Sequence, residues 1–288
     1  MVHIIDLLRQ KGNHPFIVCD FSPPRGPAYD DLFDPIDLTP DVFSVAYSPG
    51  KSVRVNPVVI ANWLQHKTQR PAIFTLATRD MNQIALEGLI LGAQMLGLEN
   101  MVSVAGDSFS GKDSQQLTML RNFTSTEFIQ CAKLMNQRLD FRKRWLNYPT
   151  NLCVGGTIDM NKDWNREIDL TESKISAGAD FFLAQPVFDV HTPRKFLEDY
   201  EQRIGRKMVI PVMWGIQMVT RNSTSLVSVP GSMKQDLING SDPVNITIHM
   251  MEKYIRNGFE NFYLIPPILE GGRRDYELAQ AVIEILKT

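Results

Sequence analysis

Eight short apolar runs recur along the chain with helix-like segments between them, and this alternation limits the folds open to it. The runs are Phe16–Asp20, Phe43–Tyr47, Ala72–Ala77, Met101–Ala105, Asn151–Gly155, Phe181–Ala184, Met208–Met213 and Asn261–Ile265. Runs this short and continuously apolar suit strands buried on both faces of a parallel sheet. Between them, Ile84, Gly88, Leu91 and Met95 fall at helical spacing and Gly97 follows as a terminator. Thr192 is a suitable N-cap with Pro193 at the first helical position, Phe196, Leu197, Tyr200 and Ile204 form one face, and Gly205 closes that helix. Asp275–Leu286 is a last amphipathic helix, and the 214–260 stretch holds more than one helix. Strand–helix alternation of this kind predicts βαβ units. Eight units fit a closed (β/α)₈ TIM barrel, although an open doubly wound sheet would alternate too. The reading is one α/β domain over residues 1–288, with Met1–Gly12 as an N-terminal helix against the bottom of the barrel. Its 288 residues exceed the ~250 typical of such barrels.

Composition removes several classes of function. With a net charge of −2 there is no basic field for a nucleic-acid backbone. No stretch approaches the ~18 apolar residues needed to span a bilayer, and the N-terminal apolar run is broken by Asp6 and Arg9. The cysteines Cys19, Cys131 and Cys153 are sparse, odd in number and form no CxxC. A reducing, cytoplasmic setting follows as the expectation. The five histidines show no metal-ligand spacing, so no catalytic metal is expected, and no GxGxxG follows the first run.

A (β/α)₈ barrel builds its site where strands end and loops begin. Those junctions hold Asp20, Tyr47, Thr78-Arg79-Asp80, Gly106-Asp107, Gly155-Gly156, Gln185 and Gln217. Asp20 could serve as a general acid if its surroundings raise its pKa, or could cap the loop or pair with Arg25. Asp107 could accept paired hydrogen bonds from an amino-heterocycle, and the Gln185 amide both donates and accepts. The string GDSFSGKD approaches a phosphate loop, but Asp113 stands where a hydroxyl is required.

At these residues the sequence resembles the methylenetetrahydrofolate reductases. The resemblance is carried by DFSPPRG (20–26), LATRDMN (76–82), GLENMVSVAGD (97–107), SAGADFFLAQPVFD (176–189) and FYLIPP (262–267), in order, over nearly the whole chain. It implies a (β/α)₈ flavoenzyme in which NAD(P)H reduces FAD, and the flavin then reduces methylenetetrahydrofolate to methyltetrahydrofolate. It implies Asp20 as the acid that assists opening of the methylene bridge and Asp107 as a folate contact that tunes the flavin. Gln185 would contact the pterin, with Gln217 and Tyr47 also on the substrate. The FAD would be held by Thr78, Arg79, Asp80, Gly106, Asp107, Gly155, Gly156 and Lys174. The family's first-strand acid is normally glutamate, so Asp20 has about 1.5 Å less reach. The same residues also suit a relative that binds a folate or pterin, or acts as a subunit with a methyltransferase, without hydride transfer. The resemblance also allows a homo-oligomer, or a methyltransferase or electron-transfer partner.

Overall fold

The computed structural model describes residues 2–27, 38–120 and 123–287. Eight parallel strands close into a barrel in chain order. They are β1 (Phe16–Phe21), β2 (Val42–Val45), β3 (Ala72–Ala77), β4 (Asn100–Val104), β5 (Cys153–Ile158), β6 (Phe181–Ala184), β7 (Val212–Gln217) and β8 (Asn261–Ile265). Closure is made by β8 pairing with β1, Phe16 opposite Asn261 and Cys19 opposite Leu264. The helices are α1 (Ile4–Gln10), α2 (Pro57–Thr68), α3 (Gln83–Met95), α4 (Asp113–Gln116), α5 (Ser125–Asn136), α6 (Trp164–Ser176), α7 (His191–Ile204), α8 (Gly231–Ile238), α9 (Pro243–Arg256) and α10 (Tyr276–Lys287). Residues 28–37 of the long β1–β2 connection lie outside the described residues.

The period-2 alternation of strand side chains sorts the core into two layers. Phe16, Val18, Val42, Ile73, Val102, Cys153, Phe181, Leu183 and Met213 fill the barrel. Ile17, Cys19, Phe43, Phe74, Val154, Phe182, Trp214, Phe262 and Leu264 face outward onto the helices. α1 closes the bottom. Ile4 is fully buried with the interior layer, and its N–H donates to Asn100 Oδ1 at 2.8 Å. Asn100 in turn donates from Nδ2 to the Val2 carbonyl at 3.0 Å.

Two strand assignments shift by more than two residues at one end relative to the sequence reading, and the second strand ends at Val45 rather than Tyr47. The fifth strand is Cys153–Ile158 rather than Asn151–Gly155, which puts Gly155 and Gly156 inside the strand and not at its end. The seventh begins at Val212, after Pro211, which has no N–H to give a ladder. The α3 stripe also differs. Ile84, Leu91 and Met95 are exposed, and the helix buries Leu86, Glu87, Ile90 and Ala93. Periodicity finds a helix but does not choose between neighbouring stripes when both contain apolar residues. α7 starts at His191, because Asp189 accepts from the backbone N–H of both His191 and Thr192. Its Gly205 terminator sits at φ 81° as expected.

Candidate active site at the barrel mouth

Strand alternation carries Asp20 inward on the last turn of β1, in line with Phe16 and Val18 below it. There it is 3% exposed and both carboxylate oxygens are occupied. Tyr263 of β8 donates its hydroxyl to Oδ1 at 2.8 Å, and Arg274 donates Nε–H to Oδ2 at 2.9 Å. Arg274 also donates to the Gly272 carbonyl. Burial, reinforced by Asp20, pushes the Tyr263 hydroxyl pKa well up. Burial pulls the Arg274 pKa down, but Asp20 together with the Tyr276 and Tyr263 hydroxyls outweighs it and leaves the guanidinium more firmly charged. The sequence reading offered Arg25 as the partner of Asp20; the structure supplies Arg274. Tyr263 and Arg274 were both missed. Tyr263 could have been found by counting alternate residues along β8. Arg274 lies beyond the strings that carry the resemblance, and only the barrel's closure brings β8 against β1.

Across the mouth, Arg79 stitches the ends of β3 and β4 together. It makes a two-pronged pair with Asp80, with both N–O distances at 2.7 Å, and donates Nη1–H to the Asp107 carbonyl at 2.9 Å. Its guanidinium lies 4.5 Å over the Phe109 ring. The Arg79 hydrogen bond holds the Asp80 carboxyl below its usual range. Burial, with Asp80 beside it, pushes the Tyr47 hydroxyl up to about 12. Thr78 is buried, and its N–H donates to the Val104 carbonyl at 3.1 Å. Gly106 takes φ +81°, and a Cβ there would stand 3.0 Å from the Arg79 Cβ, so this turn needs glycine. The Asp107 side chain is exposed, and among the described residues its carboxylate has no hydrogen-bond partner.

The β5–β7 side divides the remaining candidates. Gly155 faces inward, where a Cβ would meet the Phe181 ring at 2.5 Å, and Gly156 faces outward against Phe182 and Lys174. Both are packing glycines. Lys174 of α6 is 3% exposed and lies between α6 and β5. Its ammonium donates to the Thr157 carbonyl, and Glu167 Oε1 is 3.9 Å away. Gln217 is buried with its amide fully engaged by the loop that follows β7. It donates to the Thr224 carbonyl and accepts from the Ser225 hydroxyl and the Leu226 N–H. Gln185 is half-buried past the end of β6, and its side chain has no hydrogen-bond partner among the described residues. Among the described residues, Asp107 and Gln185 are therefore two sequence-derived polar groups left free to meet a ligand, while Gln217 and Lys174 are spent within the chain.

The sequence model described as "Methylenetetrahydrofolate reductase" matches residues 5–266. The chain belongs to this family. The match spans Asp20, Asp107, Gln185 and Tyr263 and stops short of Arg274. Comparison with curated proteins gives no match. Among solved structures, an uncharacterized protein from Clostridium thermocellum that binds two copies of 5-methyl-5,6,7,8-tetrahydrofolic acid is similar. It is 16% identical, covers 99% of this chain and 98% of its own, and superposes with a TM-score of 0.62, a likeness of fold. A reductase of this family would hold FAD on the strand-end residues expected from sequence. A diphosphate needs free cationic or N–H donors. Arg79 is held by Asp80 and the Asp107 carbonyl and Lys174 by the Thr157 carbonyl, and Gly155 and Gly156 lie within the β5 ladder. As arranged, these residues do not fit a flavin diphosphate. No helix among the described residues is long and apolar enough to cross a membrane.

Proposed function

We propose that this chain acts on a reduced folate at the barrel mouth, converting methylenetetrahydrofolate to methyltetrahydrofolate with NAD(P)H as the electron source. The observation that carries this reading is the pair of unengaged polar side chains, Asp107 and Gln185, at two strand ends of a barrel in this family. A pterin presents a flat edge of donors and acceptors, which a carboxylate and an amide complement. The folate bound by the C. thermocellum protein of similar fold supports the same ligand class. In this arrangement Asp20 is an acceptor for Tyr263 and Arg274. For Asp20 to deliver a proton to the substrate, Arg274 must first move off Oδ2.

That occupancy favours one alternative: a relative that binds the folate without hydride transfer. Two measurements separate the readings. Saturable binding of 5-methyltetrahydrofolate, weakened about tenfold or more in Gln185→Leu and Asp107→Leu with melting temperature unchanged, supports the folate site; no binding at all removes it. Oxidation of NAD(P)H that depends on methylenetetrahydrofolate supports the reductase, and FAD released on denaturation or taken up on titration would mean that a flavin is held by contacts other than those expected from sequence. Folate binding with neither activity nor flavin leaves the binder.

A further inference from the structure

Beside Asp20, the loops after β1 and β8 enclose a cleft of about 290 Å³. Four of its lining residues are arginines (Arg25, Arg54, Arg273 and Arg274), and among the described residues none that line it is acidic. Two of the four are structural. Arg54 donates to the Ser52 and Ser22 hydroxyls and to the Pro23 and Gly271 carbonyls, binding the two loops to each other. Gly272 makes room for it, since a Cβ at that position would meet Arg54 Nη2 at 2.6 Å. Arg274 is neutralised by Asp20 beneath the cleft. The other two, Arg25 and Arg273, are exposed, and among the described residues their guanidinium groups have neither an ion pair nor a hydrogen bond. Burial, with Arg25 and Arg274 as like charges nearby, draws the Arg54 pKa down, as expected where positive charge is left uncompensated.

Among the described residues, the unpaired Arg25 and Arg273 share one small cleft with Arg54 and with no carboxylate on its wall, and an anion joining them would relieve their mutual repulsion. Guanidinium forks match the oxygens of carboxylates and phosphates in two-pronged pairs. The cleft opens beside Asp20 and so adjoins the proposed folate site without including Asp107 or Gln185.

We propose that this cleft is an anion subsite, in which Arg25 and Arg273 grip a multiply charged oxyanionic group while Arg54 fixes the loops that carry them. The charged group is either a phosphate or the paired carboxylates of an oligo-γ-glutamyl tail on the folate; the tail reading rests on the folate site proposed above, whereas the phosphate reading does not. The test uses the intact chain and the double variant Arg25→Gln/Arg273→Gln, two exposed positions that leave the Arg54 and Arg274 bonds in place. Calorimetric titration with pyrophosphate, and separately with the monoglutamyl and triglutamyl forms of 5-methyltetrahydrofolate, reads the subsite. A carboxylate subsite binds the triglutamate at least about tenfold more tightly than the monoglutamate, and the double variant abolishes that difference. A phosphate subsite binds pyrophosphate saturably, weakens by about tenfold or more in the variant, and does not discriminate between the two folates. Pyrophosphate binding without folate binding would remove the folate site and keep the cleft. The proposal is overturned if neither preference exists, or if the double variant, melting as the parent does, retains full affinity.

Discussion

The Asp20–Arg274 pair makes a stability prediction that can be worked through. Both side chains are almost completely buried, 3% and 6% exposed. Removing one partner of such a pair leaves the other as an uncompensated charge and costs about 3–5 kcal/mol. Arg274→Met keeps the volume of the side chain and strands Asp20 with only the Tyr263 hydroxyl. Asp20→Asn keeps an acceptor for Tyr263 and strands Arg274. A chain of this length unfolds with an entropy of about 0.6 kcal/mol per kelvin, at ~2.1 cal/mol/K per residue. Either substitution should therefore lower the melting temperature by about 5–8 °C. The double substitution removes both charges and should recover about 2–3 kcal/mol of the summed loss. Differential scanning calorimetry of the parent, the two single variants and the double variant closes the cycle. Single losses below about 1 kcal/mol, or additivity within ~0.5 kcal/mol, would show that the charges are solvated and that the pair does not order the β1–β8 seam.

Glu87 is buried on α3 with Oε1 lacking a partner, and burial raises its pKa from 4.5 to about 7. Its folded-state pKa exceeds its unfolded value, so its contribution is complete below pH 4.5 and is lost as pH rises through 7. Glu87→Gln should stabilise the chain by about 1–2 kcal/mol at pH 8 and by nothing measurable at pH 4.5, allowing for partial solvation; equal effects at both pH values in chemical denaturation would refute the burial argument. Gly155→Ala should destabilise by about 1–3 kcal/mol through overpacking on Phe181, while Gly88→Ala, exposed in α3 with nothing within 4 Å of the added carbon, should stabilise by up to ~1 kcal/mol. Comparing the two melting temperatures tests the fifth-strand register, because Gly155 at a strand end would tolerate alanine. Gln217→Leu removes the amide that holds the 224–226 segment and should speed proteolytic cleavage there by about tenfold, from a loss of roughly 1–2 kcal/mol in local stability.

The sequence by itself determined the strand–helix alternation, which the family resemblance reads as a barrel and which the β8–β1 pairing closes. Eight short apolar runs alternating with helical segments are a local property of the chain, and parallel strands covered on both faces demand such runs whatever surrounds them. The strand-end position of Asp20 and the loop glycine Gly106 were legible for the same reason, as was the family. The register of β5 was not. Asn151–Gly155 and Cys153–Ile158 are comparable short apolar stretches, and the choice between them depends on the Phe181 ring filling the space above Gly155, a contact made only when β6 pairs beside β5. The engagement of Lys174, Gln217 and Arg79 was likewise invisible, because a polar side chain at a strand end looks the same in sequence whether its donors meet a ligand or a neighbouring carbonyl. The partners of Asp20 and the arginine-lined cleft needed closure of the ring. Tyr263 and Arg274 stand more than 240 residues from Asp20, and only the β8–β1 pairing brings both ends of the chain to one side of the mouth.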